Sequence, residues 1–287
     1  MKTFLNFGLI GYPLRHSLSP KIHAVALKSC GLQGEYSLFP IHPDDRQGLN
    51  DLMAKVRSGK IAGLNVTIPH KQHVIPLLDE RTPTAQAIGA VNTIWMQNGK
   101  LTGDNTDVPG FLEDLKKLLT TKPQRHRDTK FVLVLGAGGS ARAVVYALIN
   151  DGWEVMIAAR HIEQAQALIA QFSNPDSRIS SVEYNATVLH SLSPAFSLIV
   201  NTTPVGMSPN ADTSPWPAGL PFPPDAAVYD LVYNPRETKL VRDAHNAGLS
   251  ATTGLGMLIE QAALSFEIWT GCNPSRETLW NSMQTDN

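Results

Sequence analysis

The stretch "KFVLVLGAGGSARAVVYALINDG", residues 130–152, constrains the fold more than any other. A continuous apolar run enters a glycine turn and passes directly into a helix-forming segment. An unbroken apolar strand needs cover on both faces, as strands of parallel sheets in α/β proteins have. The turn fits G-x-G-x-x-A with Gly136, Gly138 and Ala141, and Ala137, Gly139 and Ser140 fill the remaining positions. Gly136 permits the tight turn, Gly138 lets the backbone approach a pyrophosphate, and Ala141 allows close helix–strand packing. The helix start then offers unpaired N–H groups to phosphates. The bland alternative is a tight turn with no ligand.

A carboxylate that holds the ribose of NAD is expected about 20 residues beyond such a turn. Here the second strand ends in Ala158, Ala159 and Arg160. A guanidinium can fork onto a phosphate, and nothing acidic stands there to repel one, so the expected cofactor is NADP. The competing reading of Arg160 is a solvated residue at a strand end.

The pattern around this unit repeats. "WEVMIAAR", "SVEYN", "FSLIVNTT", "AAVYDLVY" and "LSATTG" give five more short strands, so six are expected in this sheet. The first third alternates in the same way, with strands "FGLIG", "EYSLFPI" and "IAGLNVTI" separated by helices "PKIHAVALKSCG" and "PDDRQGLNDLMAKVRSG". Ser19 suits an N-cap with Pro20 at the first helical position, and Gly31 closes that helix. A hairpin is expected through Asn98-Gly99, then a helix over 109–119. The polar stretch "TTKPQRHRDTK" reads as a domain boundary, "SPWPAGLPFPP" as a surface loop, and "GMLIEQAALSFEIWTG" as an amphipathic helix ending at Gly271.

With 43% hydrophobic and 17% charged residues among 287, the chain can bury a real core. Lys and Arg number 24 against 25 acidic residues, which gives no general attraction to nucleic acid or anionic membrane. No segment reaches the roughly 20 apolar residues of a membrane helix, and Pro13 interrupts the N-terminal apolar run too early for a signal segment. Cys30 and Cys272 lie far apart and suggest neither a disulfide framework nor a zinc site. A cytoplasmic protein with a small neutral or anionic ligand is expected. His70 and His73 lack carboxylate or cysteine partners in sequence, so no metal is expected.

Four short pieces place polar groups at strand or loop ends: Ser17 and Ser19, then Asn65, Thr67 and Lys71, then Asn92, then Asn105 and Asp107. Singly, each has a structural explanation as a cap, a turn residue or a solvated lysine. Together they match a hydroxyl-binding site outside the strand ends of an α/β sheet.

"HSLSP", "NVTIPHK", "GAVNT", "GDNTD", "GAGGSARA", "NTTPVGM" and "GLGMLIEQAA" occur in this order over nearly the whole length, and the chain closely resembles the shikimate dehydrogenase family. The resemblance implies NADP-dependent interconversion of 3-dehydroshikimate and shikimate, with Lys71 and Asp107 as the catalytic pair. It implies that Ser17 and Ser19 hold the substrate carboxylate and that Asn65, Thr67, Asn92, Asn105 and Gln261 bind the ring. Tyr233 is implied near the carboxylate, and Thr203, Gly254 and Met257 around the nicotinamide or the cleft. It further implies a substrate domain of 1–107 plus 254–287, a Rossmann domain of 108–253, a cleft between them, and a monomer or homodimer. One departure stands out: many members carry "NRT" where this chain has Ala159-Arg160-His161, and another basic residue where it has Gln164, so some use of NAD is open. Rival readings are a quinate or aminated-analogue dehydrogenase, a non-catalytic NADP sensor, and a folate or glutamyl-tRNA oxidoreductase; the last does not explain "SLSP" with "NVTIPHK".

Overall fold

The computed structural model describes residues 4–120, 130–172, 178–192 and 195–284. The chain divides into two compact units, residues 1–110 with 258–287 and residues 111–257. Residues 121–129, the middle of the expected boundary stretch, lie outside the described residues.

The first unit begins with β1 (Phe4–Gly11), α1 (Ser19–Ser29), β2 (Gln33–Pro40), α2 (Arg46–Arg57) and β3 (Gly63–Val66). β4 (Glu80–Arg81), α3 (Pro83–Ile88), β5 (Thr93–Gln97), β6 (Lys100–Asp104) and the first residues of α4 (Asp107–Thr120) follow. The strands form one sheet in the order β2-β1-β3-β5-β6-β4. β2 and β3 flank β1 in parallel, whereas β5 runs antiparallel to both β3 and β6. The β5–β6 hairpin turns through Asn98 and Gly99, both at positive φ (52° and 78°), as a two-residue hairpin loop requires. Leu49, Leu52, Met53 and Val56 recur at helical spacing in α2 and bury against Ile10, Leu64, Val66 and Ile94 of the sheet.

The second unit contains β7 (Phe131–Leu135), α5 (Gly139–Asn150), β8 (Glu154–Ala159), α6 (Ile162–Phe172), β9 (Ile179–Glu183) and α7 (Ala186–Leu192). β10 (Leu198–Asn201), β11 (Ala227–Asp230), α8 (Lys239–Asn246) and β12 (Ser250–Thr253) complete it. Its six strands are all parallel, in the order β12-β11-β10-β7-β8-β9. These are the six strands expected from the sequence. From β7 the chain winds outward to β8 and β9, then returns to β10 on the other side. The switch point therefore lies beside the carboxyl end of β7, where open α/β sheets bind ligands.

The last helices are α9 (Leu255–Thr270) and α10 (Arg276–Gln284). Within the first unit, Trp269 of α9 stacks on Phe7 with centroids 5.2 Å apart, and Phe266 lies 5.9 Å from the same ring. A Cβ on Gly63 would stand 2.2 Å from the Trp269 indole, so the central strand needs glycine there.

Two expectations are corrected. Cys30 and Cys272 form a disulfide, with Cα atoms 6.3 Å apart across 242 residues of sequence. The fold brings the end of α1 to the turn after α9, a meeting that local spacing cannot show. Disulfides are rare in reducing compartments, so the pair removes the support that free thiols lent to a cytoplasmic location. Ser19 is also not an N-cap. Leu18 occupies that position already in helical geometry and without a side-chain cap, so the helix starts one residue earlier than the serine pattern suggests. Ser17 takes the capping role, its Oγ accepting from the Ser19 N–H at 3.2 Å.

Candidate active site

The end of β3 delivers the "NVTIPHK" residues. Asn65 is the penultimate residue of the strand and is 4% exposed, Thr67 is half-buried just past its end, and Lys71 follows in a tight turn. The Lys71 ammonium donates to Asp107 Oδ2 at 2.7 Å, with both side chains largely covered. Asp107 is the first residue of α4, where a carboxylate is favoured by the helix dipole. Its other oxygen, Oδ1, accepts from Asn92 Nδ2 at 3.0 Å. Asn92, 2% exposed, also donates to Thr106 Oγ1 at 2.9 Å and accepts from the Thr106 N–H at 2.7 Å.

Asn105 has the structural task named as its alternative. Its Oδ1 accepts from the Asp107 N–H at 3.1 Å and its Nδ2 donates to the Ala90 carbonyl at 3.1 Å, which fixes the start of α4. Gln261, half-buried on α9, comes within 3.4 Å of Asn92 Nδ2 through its Oε1. Ser17 is half-buried and Ser19 is 7% exposed at the start of α1. The first unit thus gathers Lys71, Asp107, Asn92, Asn65 and Gln261 around connected hydrogen bonds.

Sequence reasoning missed the residues behind these. Tyr36 Oη donates to Asn65 Oδ1 at 2.8 Å, while Asn65 Nδ2 donates to Ser265 Oγ at 3.0 Å. Burial pushes the Tyr36 phenol pKa well above its ordinary value, and a hydrogen bond from Ser19 opposes that shift. His23 of α1 is fully buried and stacked flat on Tyr36 with centroids 4.2 Å apart; neither ring nitrogen has a hydrogen-bond partner. Burial therefore lowers its pKa from 6.5 to about 3, and nearby Asn65 opposes this weakly, so the ring is neutral. Ser265 lies one helical turn past Gln261, and that i, i+4 relation was the available signal.

In the second unit, Gly136 at the end of β7 has φ +100°, and a Cβ there would meet the Thr203 methyl at 2.7 Å. Cβ atoms added at Gly138 or Gly139 would meet nothing within 4 Å, which leaves backbone open to a ligand. α5 begins at Gly139 without a side-chain cap. Ala141 is buried against the sheet, Ser140 is half-exposed in the first turn, and Ala137 lies between the two glycines. Arg160 follows β8, is exposed, and is in no ion pair among the described residues. An uncapped helix start, an open glycine turn and a guanidinium after the second strand fit NADP.

Thr203 follows β10, and both its N–H and its hydroxyl donate to Asn201 Oδ1, at 2.9 and 2.7 Å. Gly254 and Met257 lie at the start of α9, where a Cβ on Gly254 would stand 2.2 Å from the Leu231 carbonyl oxygen. Tyr233 follows β11 in the second unit, and burial raises its phenol pKa. His70 and His73 have ring centroids 5.8 Å apart, and His70 Nε2 bonds the Ile41 carbonyl at 2.7 Å. Among the described residues no three His, Cys, Asp or Glu side chains gather to hold a metal.

Comparison with known proteins places this geometry in a family. Family models described as the shikimate dehydrogenase substrate binding domain, shikimate/quinate 5-dehydrogenase and the shikimate 5'-dehydrogenase C-terminal domain match residues 9–94, 118–211 and 254–284. A shikimate dehydrogenase (NADP(+)) of Salinibacter ruber is 40% identical over 285 residues, covering 97% of this chain and 96% of its own. The shikimate 5-dehydrogenase of Thermus thermophilus, solved in complex with NADP(H) and shikimate, is 39% identical with a TM-score of 0.84, over 98% of both chains. Quinate dehydrogenase from Corynebacterium glutamicum, solved with NAD, is 31% identical with a TM-score of 0.87, over 99% of this chain and 100% of its own. Matches of this extent, to domain models in both halves and to relatives along nearly the full length, show that the chain belongs to the shikimate dehydrogenase family.

Proposed function

We propose that this protein catalyses the reversible, NADP-dependent reduction of 3-dehydroshikimate to shikimate, with Lys71 and Asp107 as its catalytic pair. The observation that carries the reading is the 2.7 Å Lys71–Asp107 ion pair beside a buried cluster of amides and hydroxyls. When bound, NADP takes up or supplies the hydride at the alcohol carbon. Lys71, held by Asp107, donates a hydrogen bond to the reacting oxygen and stabilises negative charge that develops there. In the oxidation direction the pair receives the hydroxyl proton, and in reduction it returns it. Asn65, Thr67, Asn92, Asn105 and Gln261 hold the ring, while Ser17, Ser19 and Tyr233 hold the carboxylate.

Gly136 to Ala141 and the start of α5 take the pyrophosphate, and Arg160 takes the 2'-phosphate. Thr203, Gly254 and Met257 line the nicotinamide. Shikimate is favoured over quinate because the paired serines Ser17 and Ser19 resemble the arrangement of shikimate-specific relatives. Steady-state oxidation of shikimate and quinate, each with NADP and with NAD, tests the reading. kcat/KM is expected to be highest for shikimate with NADP; preference for quinate with NAD would contradict the assigned roles of the serines and Arg160.

A further inference from the structure

The first unit's polar side chains form a closed hydrogen-bond circuit whose proton directions can be assigned. The Asn92 backbone carbonyl can only accept, so the Asn65 atom 3.2 Å from it must be the Nδ2 donor. The second Nδ2 hydrogen points to Ser265 Oγ at 3.0 Å, and Oδ1 receives the Tyr36 hydroxyl at 2.8 Å. The other partner of the Ser265 hydroxyl is the donor Asn65 Nδ2, so its hydrogen goes to Thr106 Oγ1, and Thr106 Oγ1 sends its own hydrogen to the Gln261 carbonyl at 3.1 Å or to Asn92 Oδ1 at 3.2 Å. Thr106 Oγ1 therefore accepts from Asn92 Nδ2 at 2.9 Å and from the Ser265 hydroxyl at 3.1 Å. Ser265, fully buried, thus accepts from Asn65 and donates to Thr106. Both hydrogens of the Asn65 amide are committed within the protein. Only Oδ1 is left, and the neighbouring His23 ring makes no hydrogen bond to it.

We propose that Ser265 is a positioning residue that turns Asn65 into an acceptor-only ligand and thereby fixes which ring oxygen faces it. The inference rests on Asn65 being a substrate ligand, as proposed above. An acceptor receives a hydroxyl hydrogen and repels a carbonyl oxygen. The keto form of the substrate must therefore present its carbonyl away from Asn65 and toward a donor, which in this unit is Lys71. Ser265 acts through Asn65 and is not itself catalytic. Tyr36, held flat by the His23 ring, completes the restraint from the other side.

The test is a double-mutant cycle of wild type, Ser265→Ala, Asn65→Ala and the double variant. Shikimate Kd is read by titration calorimetry and kcat by turnover, with NADP affinity and Tm recorded for each. Ser265→Ala is expected to weaken shikimate binding about tenfold by freeing one buried N–H, with kcat within roughly threefold and NADP affinity unchanged. In the Asn65→Ala background the same change should have no effect on Kd. An equal loss in both backgrounds, or no loss in either, would overturn the proposal. Should Ser265→Ala fail to fold, Ser265→Cys, which keeps a weak acceptor, is read by the same cycle. An independent readout is nitrogen-15 NMR of the Asn65 side chain. Slow solvent exchange of both amide hydrogens in wild type, with one lost in Ser265→Ala, supports the assignment; two rapidly exchanging hydrogens in wild type would overturn it. A wild type that neither binds nor turns over shikimate would sink the proposed function alone, since the NMR result does not depend on substrate.

Discussion

Lys71 donates to one carboxylate oxygen of Asp107, and Asn92 occupies the other, so the carboxylate orients the ammonium instead of drifting toward solvent. Asp107→Asn should therefore lower kcat by roughly two to three orders of magnitude while leaving NADP affinity within error, measured by turnover and by titration of the dinucleotide. Arg160 predicts a different split. Arg160→Ala should raise the KM for NADP about tenfold or more and leave that for NAD unchanged, because a charge-assisted fork serves only the 2'-phosphate; equal loss with both cofactors would make the arginine structural. The glycine turn was legible because its strand–turn–helix context already implies a phosphate site, whereas Lys71 and Asp107 each had a structural explanation alone and were singled out by the family resemblance. Tyr36 and Ser265 were not, since their bonds to Asn65 span 29 and 200 residues and each looks locally like an ordinary core or helix residue. Ser19 shows the opposite error, in which a sound capping pattern yielded to a helix that starts one residue early.

Among the elements, the all-parallel sheet of the second unit and the parallel β2-β1-β3 part of the first were readable from alternating apolar runs and helices, and so was the hairpin at Asn98-Gly99. β4 was not, because two residues carry no periodicity. The loop "SPWPAGLPFPP" was expected at the surface, yet Trp216 within it is buried, stacked on Phe222 at 5.2 Å and bonded through Nε1 to the Leu220 carbonyl. The end of β11 supplies a pH test. Asp230 is fully buried, and desolvation raises its pKa from 3.8 to about 6 although Thr238, Val232 N–H and Asn201 all donate to it. The folded state thus binds this proton more tightly than the unfolded one. Its contribution is fully present below pH 3.8 and is lost as pH rises through about 6. The unfolding free energy of wild type relative to Asp230→Asn should fall by roughly 3 kcal/mol across that window, checked by denaturant unfolding at several pH values; a flat difference would refute the assignment.

At the scale of the whole molecule, two compact units with separate cores make one all-or-none transition a poor expectation. The Cys30–Cys272 bond acts on the first alone, tying the end of α1 to the turn between α9 and α10. Replacing both cysteines by serine should cost that unit about 2–5 kcal/mol and shift its unfolding transition without moving the second unit's, as resolved by calorimetry with and without a thiol reductant. The pairing was not visible in composition, and only the folded chain shows the cysteines meeting. The most direct test of the account is single-turnover oxidation of shikimate by wild type and Lys71→Met, each preloaded with NADP and followed by absorbance of the reduced nicotinamide. Wild type should form one equivalent of NADPH, with the variant slower by roughly three orders of magnitude at unchanged NADP affinity. A variant as fast as wild type would contradict the assignment of Lys71 to the reacting oxygen.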